Sequence, residues 1–187
     1  MDAQPIGSAG ISLSRFAEGD SIEELTRLLH RAYAPHAAAG REFFASYQSP
    51  EDTRHRLSTG ECWVARDETS RVLVGTVTIA APFNGPEGYP RPVDTAGSFW
   101  QLAVAPSHAG CGLGTRLLTL AESRIAALGQ ENVVIDTSAT AAVLLRWYRR
   151  HGYTPIGTWR WSVTNYDSIV LTRTLALPRG VSRTHSP

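Results

Sequence analysis

The sequence predicts a single α/β domain built around a mixed sheet, and three observations lead there. Apolar periodicity along the chain gives the element order β-α-α-β-β-β-α-β-α-β-β. The 187 residues, 42% hydrophobic, are enough for one core, and no shift in composition divides them. The formal charge is only +1, which supplies no basic field for nucleic acid, and no run approaches the ~18 apolar residues of a membrane helix. Neither nucleic acid nor membrane is therefore expected as a partner.

Each element has its own signal. Residues 11–16 (ISLSRF) alternate and predict a short strand. Asp20 or Ser21 is an N-cap candidate for a helix over 21–34, with Glu23 and Glu24 in the first turn and Ile22, Leu25, Leu28, Leu29 and Ala32 on one face. A second helix, split or irregular, is expected within 35–60, its last part opened by Ser49-Pro50. Strands 61–67 and 72–80 are separated by a short polar stretch and predict an antiparallel hairpin. Residues 81–97 form a long Pro/Gly-rich loop, of a length that usually has a function. A strand over 99–105, a turn, and a helix over 113–128 ended by Gly129 follow. Then come a buried strand at 132–136, a helix near 140–151 stopped by Gly152, and alternating strands at 158–163 and 168–175. Residues 1–10 and 177–187 are expected to be flexible tails on a domain spanning 11–176.

Composition excludes some chemistry. The chain contains no lysine, so all 18 basic residues are arginine. Pyridoxal-type Schiff bases, lysine nucleophiles and the lysine of a Walker loop are thereby ruled out. Cys62 and Cys111 are too few and too far apart for a disulfide framework or a zinc knuckle, and the first ten residues lack the features of a secretory signal. A reduced, cytoplasmic protein without a metal site is the expectation.

The sharpest local feature runs from Leu102 through Ala103, Val104, Ala109, Gly110, Cys111, Gly112, Leu113 and Gly114 to Thr115: a strand, a glycine-rich turn and a helix start. Glycines let backbone N–H groups approach an anion, and a helix N-terminus adds partial positive charge, so a phosphate or pyrophosphate is the expected guest. A Walker loop fails for want of lysine. A dinucleotide site would place Asp136 on a ribose, but the spacing here is Gly-x-Gly-x-Gly and four residues separate the strand from the first glycine. Coenzyme A is the third option.

On the last reading the run LAVAPSHAGCGLGTRLL resembles the signature of the GNAT superfamily of N-acetyltransferases, and LRWYRRHGY (145–153) resembles that family's tyrosine segment. The resemblance covers residues 11–176. It implies a mostly antiparallel central sheet flanked by helices, acetyl-CoA as cofactor, and a primary amine on a small molecule or peptide as acceptor. It further implies that the backbone of Leu102, Ala103 and Val104 pairs with the pantetheine arm, that the 109–115 turn cradles the pyrophosphate, and that Tyr148 protonates the leaving thiolate. The sequence departs from the family pattern at Ala109, where arginine or glutamine is usual, and at Ala141, where asparagine is common. Ser98 or its neighbours occupy the place of a carboxylate that some members carry. These departures motivate an alternative, a non-catalytic acyl-CoA-binding module, and a homodimer is compatible with the fold.

A general base is also required, because an amine of pKa near ~10 must lose a proton before it attacks. Glu87 is the favoured candidate for a substrate-facing catalytic role, with Asp94, His36 and His108 behind it. Cys111 is read as a bystander. Tyr33, Phe83 and Tyr89, with aromatics of the C-terminal third, are candidates for an acceptor wall, and Arg146, Arg149 and Arg150 form a basic helix face.

Overall fold

The computed structural model describes residues 10–92 and 95–176. Apart from Gly10, the expected tails lie outside the described residues, as does Asp94. Seven strands and four α-helices follow one another in the predicted order. They are β1 (Ile11–Arg15), α1 (Ile22–Ala38), α2 (Pro50–Ser58), β2 (Glu61–Asp67), β3 (Leu73–Ala80), β4 (Ala96–Val104), α3 (Leu113–Ala127), β5 (Asn132–Ser138), α4 (Ala142–Arg150), β6 (Thr154–Trp159) and β7 (Ser168–Thr174). The sheet order is β1-β2-β3-β4-β5-β7-β6, and every pairing is antiparallel except that of β4 with β5. No helix among the described residues is long and apolar enough to cross a membrane.

Local chemistry explains most boundaries. Ser21 caps α1 by accepting from the N–H of Glu24, and Ser49 forms a capping box with Asp52 ahead of Pro50. The helix α1 runs on through Pro35, beyond its predicted end. The irregular second helix resolves into a 3₁₀ turn at Phe44–Ser46 and the short α2.

The sheet is covered on both faces. On β3, Gly75 faces Leu117 of α3, while Thr78 faces the other way, toward α1 and α2. Leu117, Leu118, Ala121 and Ile125 of α3 are fully buried, as are Leu25, Leu28 and Leu29 of α1. Gly97 is required by this packing. A Cβ there would lie 2.6 Å from Ile125 Cγ2, so a side chain would push α3 off the strand.

One predicted strand is displaced. The alternation over 158–163 pointed to a strand there, but β6 covers 154–159 and pairs with β7 only as far as Trp159 opposite Ser168. Pro155 is tolerated because β6 is an edge strand whose register shifts between Pro155 and Gly157. Residues 160–167 are a loop whose alternation has another cause: Trp161 and Val163 face a cavity.

Two irregularities in β4 shape that cavity. It pairs with β5 only at Ala96 opposite Asn132 and Gly97 opposite Val133, after which the two strands part. The register with β3 also slips between Thr76 and Thr78, leaving one extra residue on β4, and Gln101 adopts φ +54°. That left-handed conformation is costly for a side-chain residue. A buried chain of hydrogen bonds holds it: Thr78 Oγ1 donates to Gln101 Oε1 (3.2 Å), Gln101 Nε2 to Gln48 Oε1 (3.0 Å), and Gln48 Nε2 to Thr53 Oγ1 (2.6 Å). Thr26 Oγ1 on α1 closes the chain by donating to Thr53 Oγ1 (2.8 Å). Gln101→Ala would keep the strain and orphan Gln48, so a loss of about 2–4 kcal/mol is expected. Urea denaturation checks this; a change under about 0.5 kcal/mol would mean that the network does not hold the bulge.

Candidate active site

The parting of β4 from β5 opens a cavity of about 350 Å³. Ser98 to Leu102 of β4 form one wall and Ile135 to Thr137 of β5 the other. Tyr33 of α1 and Phe43 and Phe44 close one side, Arg56 of α2 enters beside them, and Leu144 and Tyr148 come from α4. Trp161 and Tyr166 arrive from the 160–167 loop. That loop is tied across the cavity to the α1–α2 connection: Asn165 Nδ2 donates to Gly40 O, and the Glu42 N–H donates to Asn165 Oδ1, both at 3.0 Å.

The glycine turn leads out of the same strand. Gly110 (φ +79°) and Gly112 (φ +83°) take left-handed conformations, and Gly112 stands as the N-cap of α3 with no side-chain cap. The first N–H satisfied in the helix is that of Arg116, which donates to Gly112 O. Those of Gly112, Leu113, Gly114 and Thr115 have no backbone acceptor among the described residues. A Cβ at Gly110 or Gly112 would meet nothing within 4 Å, so the space above the turn is open. Unpaired donors at a helix N-terminus under open space suit a diphosphate, and the residues present fit that group.

Within this turn Ala109 is exposed and offers only backbone, Leu113 buries its side chain in the core, and Thr115 Oγ1 lies 3.4 Å from His151 Nε2. Cys111 Sγ donates to His108 O (2.9 Å) inside the turn and does not line the cavity. Leu102 faces the cavity, and its carbonyl already accepts from Tyr33 Oη at 3.2 Å. Ala103, opposite Thr76 of β3, is buried in the core. Val104 ends β4 against Gly114.

Helix α4 joins the turn to the cavity. Its amphipathic pattern places Trp147 against Gly114 and the adjacent Tyr148 inside the cavity, where Tyr148 packs on Phe99 and Tyr153. The Tyr148 hydroxyl donates no hydrogen bond among the described residues, and burial raises its pKa, with Tyr33 and Asp136 adding to the shift. It is a protonated phenol at neutral pH. Tyr33 is pushed up to about 12 by burial. Ala141 caps α4 without a side-chain bond.

The candidate bases fare differently from expectation. Glu87 is exposed on the connection between β3 and β4, which is shorter than the expected loop because Ala96 and Gly97 already pair in β4. It lies outside the cavity lining, so the structure does not bring it to Tyr148. That loop instead contributes Phe83 to the wall, while Tyr89 packs behind on Trp159 and Trp161. His36 is occupied with Phe43 and Arg41, and burial lowers its pKa. His108 sits with Ser107 and Asp67. The carboxylate inside the cavity is Asp136, which accepts from Tyr89 Oη (3.2 Å) and Trp161 Nε1 (3.0 Å). Its signal in the sequence was a lone acid in the apolar run NVVID, read there as a potential ribose ligand. Arg56, on a short polar helix, gave no signal. Arg146, Arg149 and Arg150 are exposed.

The buried phenols predict alkaline behaviour. Burial raises the pKa of Tyr89, Tyr148 and Tyr153 above the ordinary tyrosine value near ~10. Below that pH both folded and unfolded chains hold these protons, and stability is full. Above it the unfolded chain releases them while the native state retains them, so stability falls as pH rises, by up to about 1.4 kcal/mol per pH unit for each. Urea midpoints measured at pH 8, 10 and 11 should decline most steeply between 10 and 11, the buried Cys62 thiol adding a smaller loss at lower pH; a flat series would contradict the burial of these hydroxyls.

Comparison with known proteins agrees with this fold. The acetyltransferase (GNAT) domain profile matches residues 58–155. S-(2-succino)cysteine N-acetyltransferase of Bacillus subtilis (strain 168) is 29% identical over 148 residues, covering 76% of this chain and 84% of its own. Mycothiol acetyltransferase of Cellulomonas flavigena is 26% identical over 146 residues, and the match spans 77% of this chain but 40% of that larger protein. Among solved structures, an Elizabethkingia anophelis GNAT family acetyltransferase with acetyl-CoA bound superposes with a TM-score of 0.62 at 18% identity, covering 90% of this chain and all of that one. The ribosomal-protein-S18-alanine N-acetyltransferase of Escherichia coli gives 0.66 at 14%, covering 90% and 96%.

Proposed function

Because the chain belongs to the GNAT family of acetyltransferases, we propose that it moves the acetyl group of acetyl-CoA directly to the primary amine of a small molecule held in the β4–β5 cavity. Acetyl-CoA supplies an acyl group activated as a thioester. The chain's own residues do the rest. The N–H groups of the 110–115 turn bind the diphosphate, and the β5-facing edge of β4 beyond Gly97, which pairs with no strand, offers backbone groups to the pantetheine arm. Tyr148 holds a proton for the departing sulfur, and Asp136 accepts the proton of the attacking amine. Glu87 keeps no part in this reading. Two free thiols, Cys62 and Cys111, suit a reduced cytoplasmic setting.

The observation that carries the proposal is the continuity of the site: α4 places Trp147 on the phosphate-binding turn and the next residue, with its unengaged hydroxyl, in the acceptor cavity. The names of the two curated relatives, an N-acetyltransferase for a cysteine derivative and a mycothiol acetyltransferase, support a small acceptor. Calorimetric titration with acetyl-CoA, and with NADH as control, tests the cofactor; thiol release from acetyl-CoA in the presence of amines tests the transfer. Binding of acetyl-CoA together with amine-dependent thiol release is expected. Binding without release under any amine would favour a non-catalytic module, and binding of NADH alone would overturn the reading.

A further inference from the structure

The cavity contains a cation and an anion that do not pair with each other. Arg56 lines it from α2, yet its guanidinium makes no hydrogen bond and no ion pair among the described residues. Its Nε is buried without a partner, its Cζ stands 5.3 Å from the Phe44 ring centroid, and Tyr33, Asp136 and Asp52 act on it only through longer-range charge. A guanidinium nitrogen buried without an acceptor is costly, and a fold retains one most readily where an anion completes the group. The diphosphate is not that anion, because its donors lie beyond the end of β4, outside the cavity that Arg56 lines. Asp136, on β5, likewise forms no contact ion pair among the described residues; its hydrogen-bond donors are Tyr89 and Trp161, and Arg56 acts on it only through longer-range charge.

We infer that the acceptor is a free α-amino acid or a small derivative of one, whose carboxylate is taken by Arg56 while its amino group is presented to Asp136. The inference rests on the acetyl-transfer reading above and names its substrate class. A guanidinium binds a carboxylate with paired, charge-assisted hydrogen bonds, which fixes the orientation of the molecule as well as its charge. The cavity is of amino-acid size, and Phe43, Phe83, Trp161 and Tyr166 give it an aromatic wall, so apolar side chains fit best. An internal lysine, or the N-terminus of a longer peptide, brings no carboxylate within reach of its amine and leaves Arg56 unpaired.

Thiol release from acetyl-CoA with L-phenylalanine, L-methionine and L-leucine, each against its carboxamide, tests this. The free acids should exceed the amides about 30-fold or more in kcat/KM, and Arg56→Gln should reduce that ratio to within about threefold. Equal rates on acid and amide, or a preference that survives in Arg56→Gln, would overturn the inference. Calorimetry with N-acetyl-L-phenylalanine and its amide, in the presence of CoA, gives a second readout that does not depend on turnover or on the variant folding. Binding of the acid only is expected; equal binding, or none, overturns it. Acetylation of amines regardless of a carboxylate would defeat this inference alone, whereas thiol release with no amine at all would defeat the acetyl-transfer reading beneath it.

Discussion

Replacing Tyr148 by phenylalanine is expected to lower kcat about 100-fold while leaving acetyl-CoA affinity within about twofold, the lower part of the range for losing a general acid. The ring remains, so its packing on Phe99 and Tyr153 and the path of α4 are preserved. The hydroxyl lost is one that bonds to nothing among the described residues, so no buried partner is orphaned and stability should change little. The pH profile adds a second check. Burial holds the phenol protonated well past neutrality, so Tyr148 should impose no fall in rate between pH 7 and 9. Undiminished kcat in the variant would remove the acid from the mechanism.

Asp136→Asn is expected to lower kcat/KM by about 100-fold at pH 7, with the deficit shrinking as pH approaches the pKa of the amine near ~10. The reasoning follows the proton. At neutral pH the acceptor arrives as an ammonium and needs a base to take its proton; at high pH it arrives neutral and the base matters less. A purely structural role, through the hydrogen bonds to Tyr89 and Trp161, would give a deficit independent of pH. Parallel pH profiles for the two enzymes would therefore reject the base assignment, and thermal melts of both show whether the aromatic packing has survived.

The residues that could be read in advance are those whose chemistry is contiguous. The strand, the positive-φ glycines and the helix start occupy thirteen consecutive positions, Leu102 to Gly114, and backbone preference at such positions is a local property. Tyr148 stands in LRWYRRHGY, whose resemblance to the family's tyrosine segment singles it out, while apolar periodicity predicts only the short amphipathic helix that carries it. Glu87 was chosen on composition, an acid in a long loop, and that criterion says nothing about where a loop tip points. The strand expected at 158–163 failed because period-two alternation arises equally from a loop with one side against a cavity.

Element order, the hairpin, the caps at Ser21 and Ser49 and the left-handed glycines that open α3 were thus determined by the sequence alone, because each depends on periodicity or dihedral preference within a few residues. The acceptor cavity was decided only by tertiary structure. It exists because β4 and β5 pair at two positions and then diverge, and because Asn165 reaches Gly40 and Glu42 across more than a hundred residues of chain. Arg56 is the clearest case. Its identity is printed in the sequence, but what marks it out is a buried Nε with no partner among the described residues, and that is a property of the assembled surroundings rather than of any segment.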